Sequence, residues 1–366
     1  MKKLRGAVVG YGFISSQGHI PAYLGRSRDR DDVEIVAVAD ICELRRNLIH
    51  QALPDARIYG DYQSLITNEA HQLDFIDIAT PPRDHAPIAL FALDAGLHVL
   101  CEKPLAPTLQ EVRAMLRKAQ EKRRVIFPCH NYKHAPVIQE IQTILESGRI
   151  GTVRSVCLNT FRNTHAQGVL EWNPHWRRDS SIAGGGIAMD HGSHSFYLTF
   201  SWLKSYPISV TAQMTRLEPS VYDTEDQLSC VLMFPEGLAQ CYLTWTAGVR
   251  KVLYSIHGDR GAITVDDDEI QIAEMNTSDH RSSAQEKLNW NIEKKSIASH
   301  WMDASHVGWF SSLFDDFKSA IERNEYVGQE ALEAFLCTHV IVNAYRSARE
   351  GCREISLKPD CSSFLE

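Results

Sequence analysis

Ala7-Val8-Val9-Gly10-Tyr11-Gly12-Phe13-Ile14-Ser15 is the stretch that decides the fold. A short apolar run, read as a strand, leads directly into Gly-x-Gly-x-x-Ser at the mouth of a helix. The first glycine permits a tight turn, the second lets backbone approach a pyrophosphate, and the helix N-terminus then faces the negative charge. Ser15 takes the place of a third glycine and is small enough for close helix–strand contact. Gly10, Gly12, Phe13 and Ile14 are therefore candidate dinucleotide contacts. Glycine turns after strands are common, so the reading needs support further along the chain. Asp40 supplies it, at the end of the next apolar run Ile35-Val36-Ala37-Val38-Ala39. A carboxylate there can accept hydrogen bonds from an adenosine ribose and would repel a 2′-phosphate, which favours NAD over NADP. A capping role for Asp40 is compatible with this, while Arg45 and Arg46 lie near enough in sequence to meet a cofactor phosphate.

Outward from this stretch, residues 5–125 alternate short apolar runs with amphipathic ones, the βαβ rhythm of a parallel sheet. Strands are expected at Ala7–Val9, Glu34–Ala39, Phe75–Ala79, His98–Cys101 and Arg124–Pro128. Helices are expected at Ile88–Ala95, ended by Gly96, and at Leu109–Lys122, opened by Thr108 with Glu111 at capping-box spacing. Ile76-Asp77-Ile78-Ala79 ends in Thr80-Pro81-Pro82, followed by Asp84-His85. Thr80, Pro81 and His85 are candidate cofactor contacts where a dinucleotide crosses the strand ends, and Thr80 can alternatively cap the following helix. Leu97–Cys101 leads into Glu102-Lys103-Pro104. Open α/β sheets bind ligands at strand carboxyl ends, so Lys103 is a candidate reactive group, with Glu102 beside it and Pro104 biasing it away from helical dihedrals.

The 366 residues favour two domains, divided here as 1–128 and 129–366. A formal charge of −8 without a basic stripe argues against a nucleic-acid partner, and no apolar run is long enough to span a bilayer. Nine scattered cysteines without a Cys-x-x-Cys pair fit a reducing cytoplasm and no metal site. After about residue 150, alternating segments predict a largely antiparallel sheet with one covered face: Val153–Phe161, Ile208–Leu217, Gln227–Phe234, Leu238–Trp245 and Val252–His257. Helical periodicity returns at Phe310–Arg323 and Gln329–Arg349. The polar region Glu274–Ser305 reads as a loop or irregular insertion.

Gly184-Gly185-Gly186 precedes Ile187-Ala188-Met189-Asp190-His191-Gly192-Ser193-His194. The glycines allow close backbone approach to a ligand. On a helix over 187–198, Asp190 and His194 lie one turn apart on one face while His191 points elsewhere. An imidazole with a carboxylate one turn away reads as an oriented general base. His130, His134 and His175 read as packing or surface residues.

Together these motifs resemble the glucose–fructose oxidoreductase / inositol 2-dehydrogenase / rhizopine-catabolism (Gfo/Idh/MocA) family over nearly the whole chain. They join Gly10-Tyr11-Gly12 and Asp40 to Ala79–Pro82, Glu102-Lys103-Pro104, and the glycine run with Asp190 and His194. Glu225-Asp226, Ile256–Gly261 and Ala344–Gly351 also fit. The resemblance implies an α/β protein with an N-terminal Rossmann domain, a doubly wound parallel sheet. It further implies a C-terminal α+β domain whose large open, mostly antiparallel sheet serves as a homodimer or homotetramer interface. It makes Lys103, Asp190 and His194 the catalytic positions, with Glu102 and Lys103 beside the cofactor and His175-Trp176-Arg177 folded over it, so that Trp176 and Arg177 touch it. Tyr197 stands where the family often has an aspartate, and His130-Asn131-Tyr132-Lys133 replaces an arginine-rich stretch. Both departures should face the substrate, with Asn131 and Tyr132 as contacts. The activity implied is NAD-dependent hydride transfer to or from a secondary alcohol of a sugar, cyclitol or derivative. Asp190 would set the tautomer of His194. Glycoside cleavage through transient oxidation, or non-catalytic dinucleotide sensing, are the alternatives. His306 and Trp309, beyond the polar region, are further candidate substrate contacts, as are the faces of Trp290 and Trp301.

Overall fold

The computed structural model describes residues 3–218, 220–275, 290–298 and 305–357. The first sheet holds β1 (Leu4–Val9), β2 (Val33–Ala39), β3 (Arg57–Tyr59), β4 (Phe75–Ile78), β5 (His98–Cys101) and β6 (Ile126–Pro128). All are parallel, in the order β3-β2-β1-β4-β5-β6. Strand order reverses beside β1, so the loops after β1 and β4 diverge and leave a crevice at the strand carboxyl ends. The connecting helices are α1 (Ile20–Asp29), α2 (Glu43–Ala52), α3 (Tyr62–Glu69), α4 (Pro82–Asp94) and α5 (Leu109–Lys122). Thr108 and Glu111 form the expected reciprocal capping box on α5.

The second sheet has nine strands. These are β7 (Val153–Phe161), β8 (Ser209–Thr215), β9 (Gln227–Phe234), β10 (Gly237–Thr244), β11 (Lys251–Gly258), β12 (Gly261–Asp266), β13 (Glu269–Met275), β14 (Trp290–Ser296) and β15 (Ile355–Ser356). Their order is β14-β13-β12-β11-β7-β10-β9-β8-β15, antiparallel except for the parallel pair β7 and β10. The remaining helices are α6 (Pro136–Glu146), α7 (Ser180–Ala183), α8 (Ile187–Leu203), α9 (Val307–Arg323) and α10 (Gln329–Arg349). α8 and α10 cover one face of the sheet, burying Leu228, Leu232, Ala239 and Leu243. On the other face Val231, Met233 and Leu238 stay exposed.

Two findings differ from the sequence reading. The polar region contains β14, an edge strand whose Glu293 and Lys295 pair with Arg149 and Glu140. Charged side chains on an edge hide its alternation from a hydrophobic reading; residues 276–289 and 299–304, including Trp301, lie outside the described residues. The second finding concerns α9. It follows the second sheet in the chain, yet Phe310, Phe314 and Phe317 pack on the first. Phe314 meets Phe75 and Tyr23, and Phe317 meets Phe75 and Phe127. The 3.6-residue spacing identifies the apolar stripe but not which sheet it covers, so a break at 128 alone does not describe this packing. Phe314 is buried on every side, and Phe314→Ala should cost about 3–5 kcal/mol of stability, measured by urea unfolding.

Candidate active site

A cavity of about 640 Å³ opens at the carboxyl ends of β1, β2, β4 and β5 and is closed on its far side by the second domain. Gly10 forms its floor with φ +96°, and a Cβ there would meet the Ala79 carbonyl oxygen at 2.7 Å. Gly12, Phe13 and Ile14 face the opening. At the end of β2, the Asp40 carboxylate accepts from the Tyr11 N–H at 2.6 Å and the Cys42 N–H at 2.7 Å. It thus fixes both the glycine turn and the turn that precedes α2, and each oxygen keeps a lone pair for a ribose hydroxyl. Arg45 donates to the Tyr11 carbonyl and pairs with Glu171, while Arg46 donates to the Asp40 carbonyl. Thr80 lines the cavity beside Pro81, with its hydroxyl buried and unpartnered. This combination of open glycine turn, a carboxylate with free lone pairs and an orphan hydroxyl fits a dinucleotide.

His85 does not line the cavity. It is fully buried, with Nδ1 2.8 Å from the Pro104 carbonyl and Nε2 2.8 Å from the Thr80 carbonyl. Its place as a cofactor contact is thereby corrected: it ties two rim segments together. Glu102 lines the wall from beneath. One of its oxygens accepts from the Lys103 N–H at 3.1 Å, and the other meets His19 Nε2 at 3.2 Å. His19 Nδ1 lies 2.7 Å from Asp77. Burial opposes charge on His19, but Asp77 and Glu102 outweigh it and raise its pKa to about 10. The residue behind the lysine is therefore an ion network with its own cation.

Lys103 leaves β5 through a cis peptide bond to Pro104 and crosses to the second domain. Its Nζ donates to the Asp190 carbonyl at 2.7 Å and lies 3.6 Å from the Asp190 carboxylate. Arg177 Nε donates to the same carboxylate oxygen at 3.1 Å, and His191 lies 3.7 Å from the other. Burial favours the acid form of Asp190, yet Arg177, Lys103 and His191 together hold it well below the usual carboxylate range. Asp190 is thus spent on cations, and it does not orient His194 as the sequence spacing implied. Tyr197 does: its hydroxyl is 2.7 Å from His194 Nδ1 and accepts from the Tyr132 N–H at 3.2 Å. Tyr132 stacks on the imidazole at 3.8 Å and 15°. This leaves Nε2 to face the cavity. A hydroxyl can donate or accept, so Tyr197 can hold the ring in either tautomer.

Other placements also differ. His191 lines the cavity, because residues three apart on a helix are neighbours as well. In the glycine run Gly185 lines the cavity, while Glu225 accepts from the Gly186 and Ala188 N–H groups at 2.9 Å each. In 130–133, Asn131 and Tyr132 face the cavity, and the Asn131 side-chain oxygen is buried and unpartnered. Lys133 and His130 instead turn to Glu330 and Glu333 on α10. Two groups have metal-ligand composition among the described residues: His19, Asp77 and Cys129, and His130, Glu330 and Glu333. In the first His19 supplies the cation, in the second Lys133 does. Trp176 and Arg177 line the cavity, as does His306, whereas Trp309 stacks behind His306 at 3.7 Å without reaching the wall. Sequence reasoning missed Arg162, His165 and Arg250 on the wall; they follow or precede strands and belong to no motif.

The fold and cavity define a two-domain dinucleotide-dependent oxidoreductase. The oxidoreductase family model with NAD-binding Rossmann fold matches residues 4–130, and the GFO/IDH/MocA C-terminal domain matches residues 138–264. The chain belongs to the Gfo/Idh/MocA family, and its cofactor is NAD. It is 36% identical over 152 residues to a D-apiose dehydrogenase of Paraburkholderia graminis, covering 42% of this chain and 39% of that protein. It is 29% identical over 272 residues to a levoglucosan dehydrogenase of Pseudarthrobacter phenanthrenivorans, covering 62% and 67%. A solved levoglucosan dehydrogenase complexed with NADH superposes with TM-score 0.80 at 22% identity, covering 97% and 99%.

Burial, with Lys103 and His191 next, pushes the His194 pKa well below 6.5. The neutral ring therefore persists below that pH and protonates only under more acid conditions. A kcat/KM profile for alcohol oxidation should keep its acid limb below pH 6.5; a limb above 6.5 assigned to His194 by its loss in His194→Gln would contradict this.

Proposed function

We propose that the protein is an NAD-dependent dehydrogenase that interconverts a secondary alcohol and a ketone on a sugar, cyclitol or sugar derivative. One observation carries the reading: Lys103 from the first domain and His194 from the second converge on one cavity, with Asp190 pinning the lysine. When bound, NAD supplies the hydride acceptor. His194 Nε2 takes the hydroxyl proton during oxidation and returns it during reduction. The Lys103 ammonium has three protons, of which the Asp190 carbonyl and carboxylate take two directions, and the third can stabilise charge developing on the substrate oxygen. Asn131 and Tyr132 border the same space, and His306, backed by Trp309, closes one side of it. The dehydrogenation of sugars named for the D-apiose and levoglucosan relatives supports this class of substrate.

Positioned proton transfer contributes about 10²–10⁴-fold. Lys103→Met and His194→Ala should each lower kcat by at least about 10²-fold, while NADH affinity by fluorescence titration stays within a few-fold. Variants that keep most of their activity would move the chemistry elsewhere. A non-catalytic sensor has no use for Lys103, Asp190 and His194 together, and transient-oxidation cleavage would show turnover without net NADH. Asp40 also predicts tighter binding of NADH than NADPH, with Asp40→Ala narrowing the gap; a preference for NADPH in the unaltered protein would overturn the assignment.

The same reading places the protein in the cytoplasm as a homodimer or homotetramer. All described cysteines are free thiols, and among the described residues no helix is long and apolar enough to cross a membrane. The uncovered sheet face, where Met233 pairs with Leu238, supplies the apolar surface for association. Met233→Glu should shift the sedimentation coefficient toward the monomer; an unchanged oligomer, or a monomeric unaltered protein, would remove this face from the assembly.

A further inference from the structure

The walls that the second domain contributes to the cavity are unbalanced in charge. Among the described residues they carry Arg162, Arg177 and Arg250 but one carboxylate, Asp190. Lys103 adds a fourth cation from the opposite wall, and Asp190 already serves both Lys103 and Arg177. Arg162 is 7% exposed. Its guanidinium donates to the carbonyl oxygens of Phe161 at 2.9 Å and Lys251 at 3.5 Å, groups without net charge. None of the ion pairs among the described residues includes it. Phe161 and Lys251 are register partners across β7 and β11, so Arg162 and Arg250 emerge side by side at one end of two central strands. The Arg162 guanidinium cannot shed its proton, and a buried cation is stable only when its charge is offset. The histidines in the same wall offer no negative charge. Burial, with Arg162, Lys103 and Arg177 outweighing Asp190, lowers the His191 pKa to about 3. His165 is held at about 4 by burial and by Arg178, His175 and Arg177. Both imidazoles are neutral at pH 7.

We propose that Arg162 and Arg250 form an oxyanion subsite, so that the substrate is a polyhydroxylated compound bearing a carboxylate or phosphate. This rests on the dehydrogenase reading and narrows its substrate class. A planar guanidinium fork matches such oxygens bidentately, and the subsite faces the same space as Lys103 and His194. The anion would anchor one end of the substrate while the carbinol is presented to Lys103 and His194 Nε2. Arg162 and Arg250 would set which substrate enters and leave the chemical step to those two.

The test uses the full-length protein with NAD, comparing D-glucuronate, D-gluconate and D-glucose 6-phosphate with D-glucose and myo-inositol. At least one anionic compound should have the highest kcat/KM, and which one distinguishes carboxylate from phosphate. Charged hydrogen bonds of this kind correspond to about 10–100-fold in affinity, so Arg162→Gln should raise KM for that compound by this factor with a smaller change in kcat. Arg250→Gln should act in the same sense, and unchanged NADH affinity shows that either variant is folded. A second readout needs no turnover: the preferred anion should raise the Tm of the NADH complex, and Arg162→Gln should abolish the rise. Preferred oxidation of a neutral sugar with no anion-dependent Tm shift would overturn the subsite and leave the dehydrogenase intact. A Tm shift that depends on Arg162, without oxidation of any compound, would keep the subsite and overturn the dehydrogenase reading. Equal effects of Arg162→Gln on neutral and anionic compounds would also overturn the subsite.

Discussion

The Asp190 carboxylate, held between the Lys103 ammonium and the Arg177 guanidinium, is the interaction on which the site depends. Lys103 comes from the end of β5 and Asp190 from the first turn of α8, so the contact crosses from one domain to the other. It is partly shielded from solvent, and each partner would be a costly unpaired charge without the others. The carboxylate thus offsets the two cations that approach it. Glu102 secures the other end of Lys103 by accepting its backbone N–H, and His19 balances Glu102 in turn. The crevice is thus built from linked charges, each offset by a neighbour.

Around this link the second domain presents His194 as a neutral ring. Burial keeps it uncharged, and its partner on Nδ1 is a hydroxyl, not a carboxylate. A carboxylate there would favour the imidazolium, whereas Tyr197 fixes the ring and leaves the proton affinity low. α9 connects this arrangement to the fold. Its Phe310, Phe314 and Phe317 complete the core of the first sheet, and its first turn sets Trp309 behind His306 and edge-on to Tyr132. One helix therefore stabilises the cofactor domain and shapes the wall of the space where the substrate would lie.

The legible parts of the sequence were those in which local order carries the signal. Gly10-Tyr11-Gly12 follows its strand directly, the β7 and β9 alternations match their strands, and Thr108 with Glu111 caps α5 as the spacing implies. Helical spacing also placed Asp190 and His194 near one cavity, but it could not assign their partners. A helix wheel gives neighbours on one element, and the cations that claim Asp190 come from β5 and from the turn containing Arg177. Arg162 and Arg250 carried no sequence signal because they flank different strands 88 positions apart, and only the β7–β11 register makes them adjacent.

The sequence by itself determined the parallel cofactor sheet, the glycine turn with the acid that closes the next strand, and the largely antiparallel second sheet. Periodicity, turn chemistry and the carboxyl-end rule act over a few residues, so they can be read along the chain. Tertiary structure alone decided that α9 returns to the first sheet, that Tyr197 and not Asp190 holds His194, that His85 braces the rim, and that arginines outnumber carboxylates among the described residues of the second wall. Those outcomes depend on which distant surfaces meet. Burial and charge compensation select among them only once the two sheets face each other.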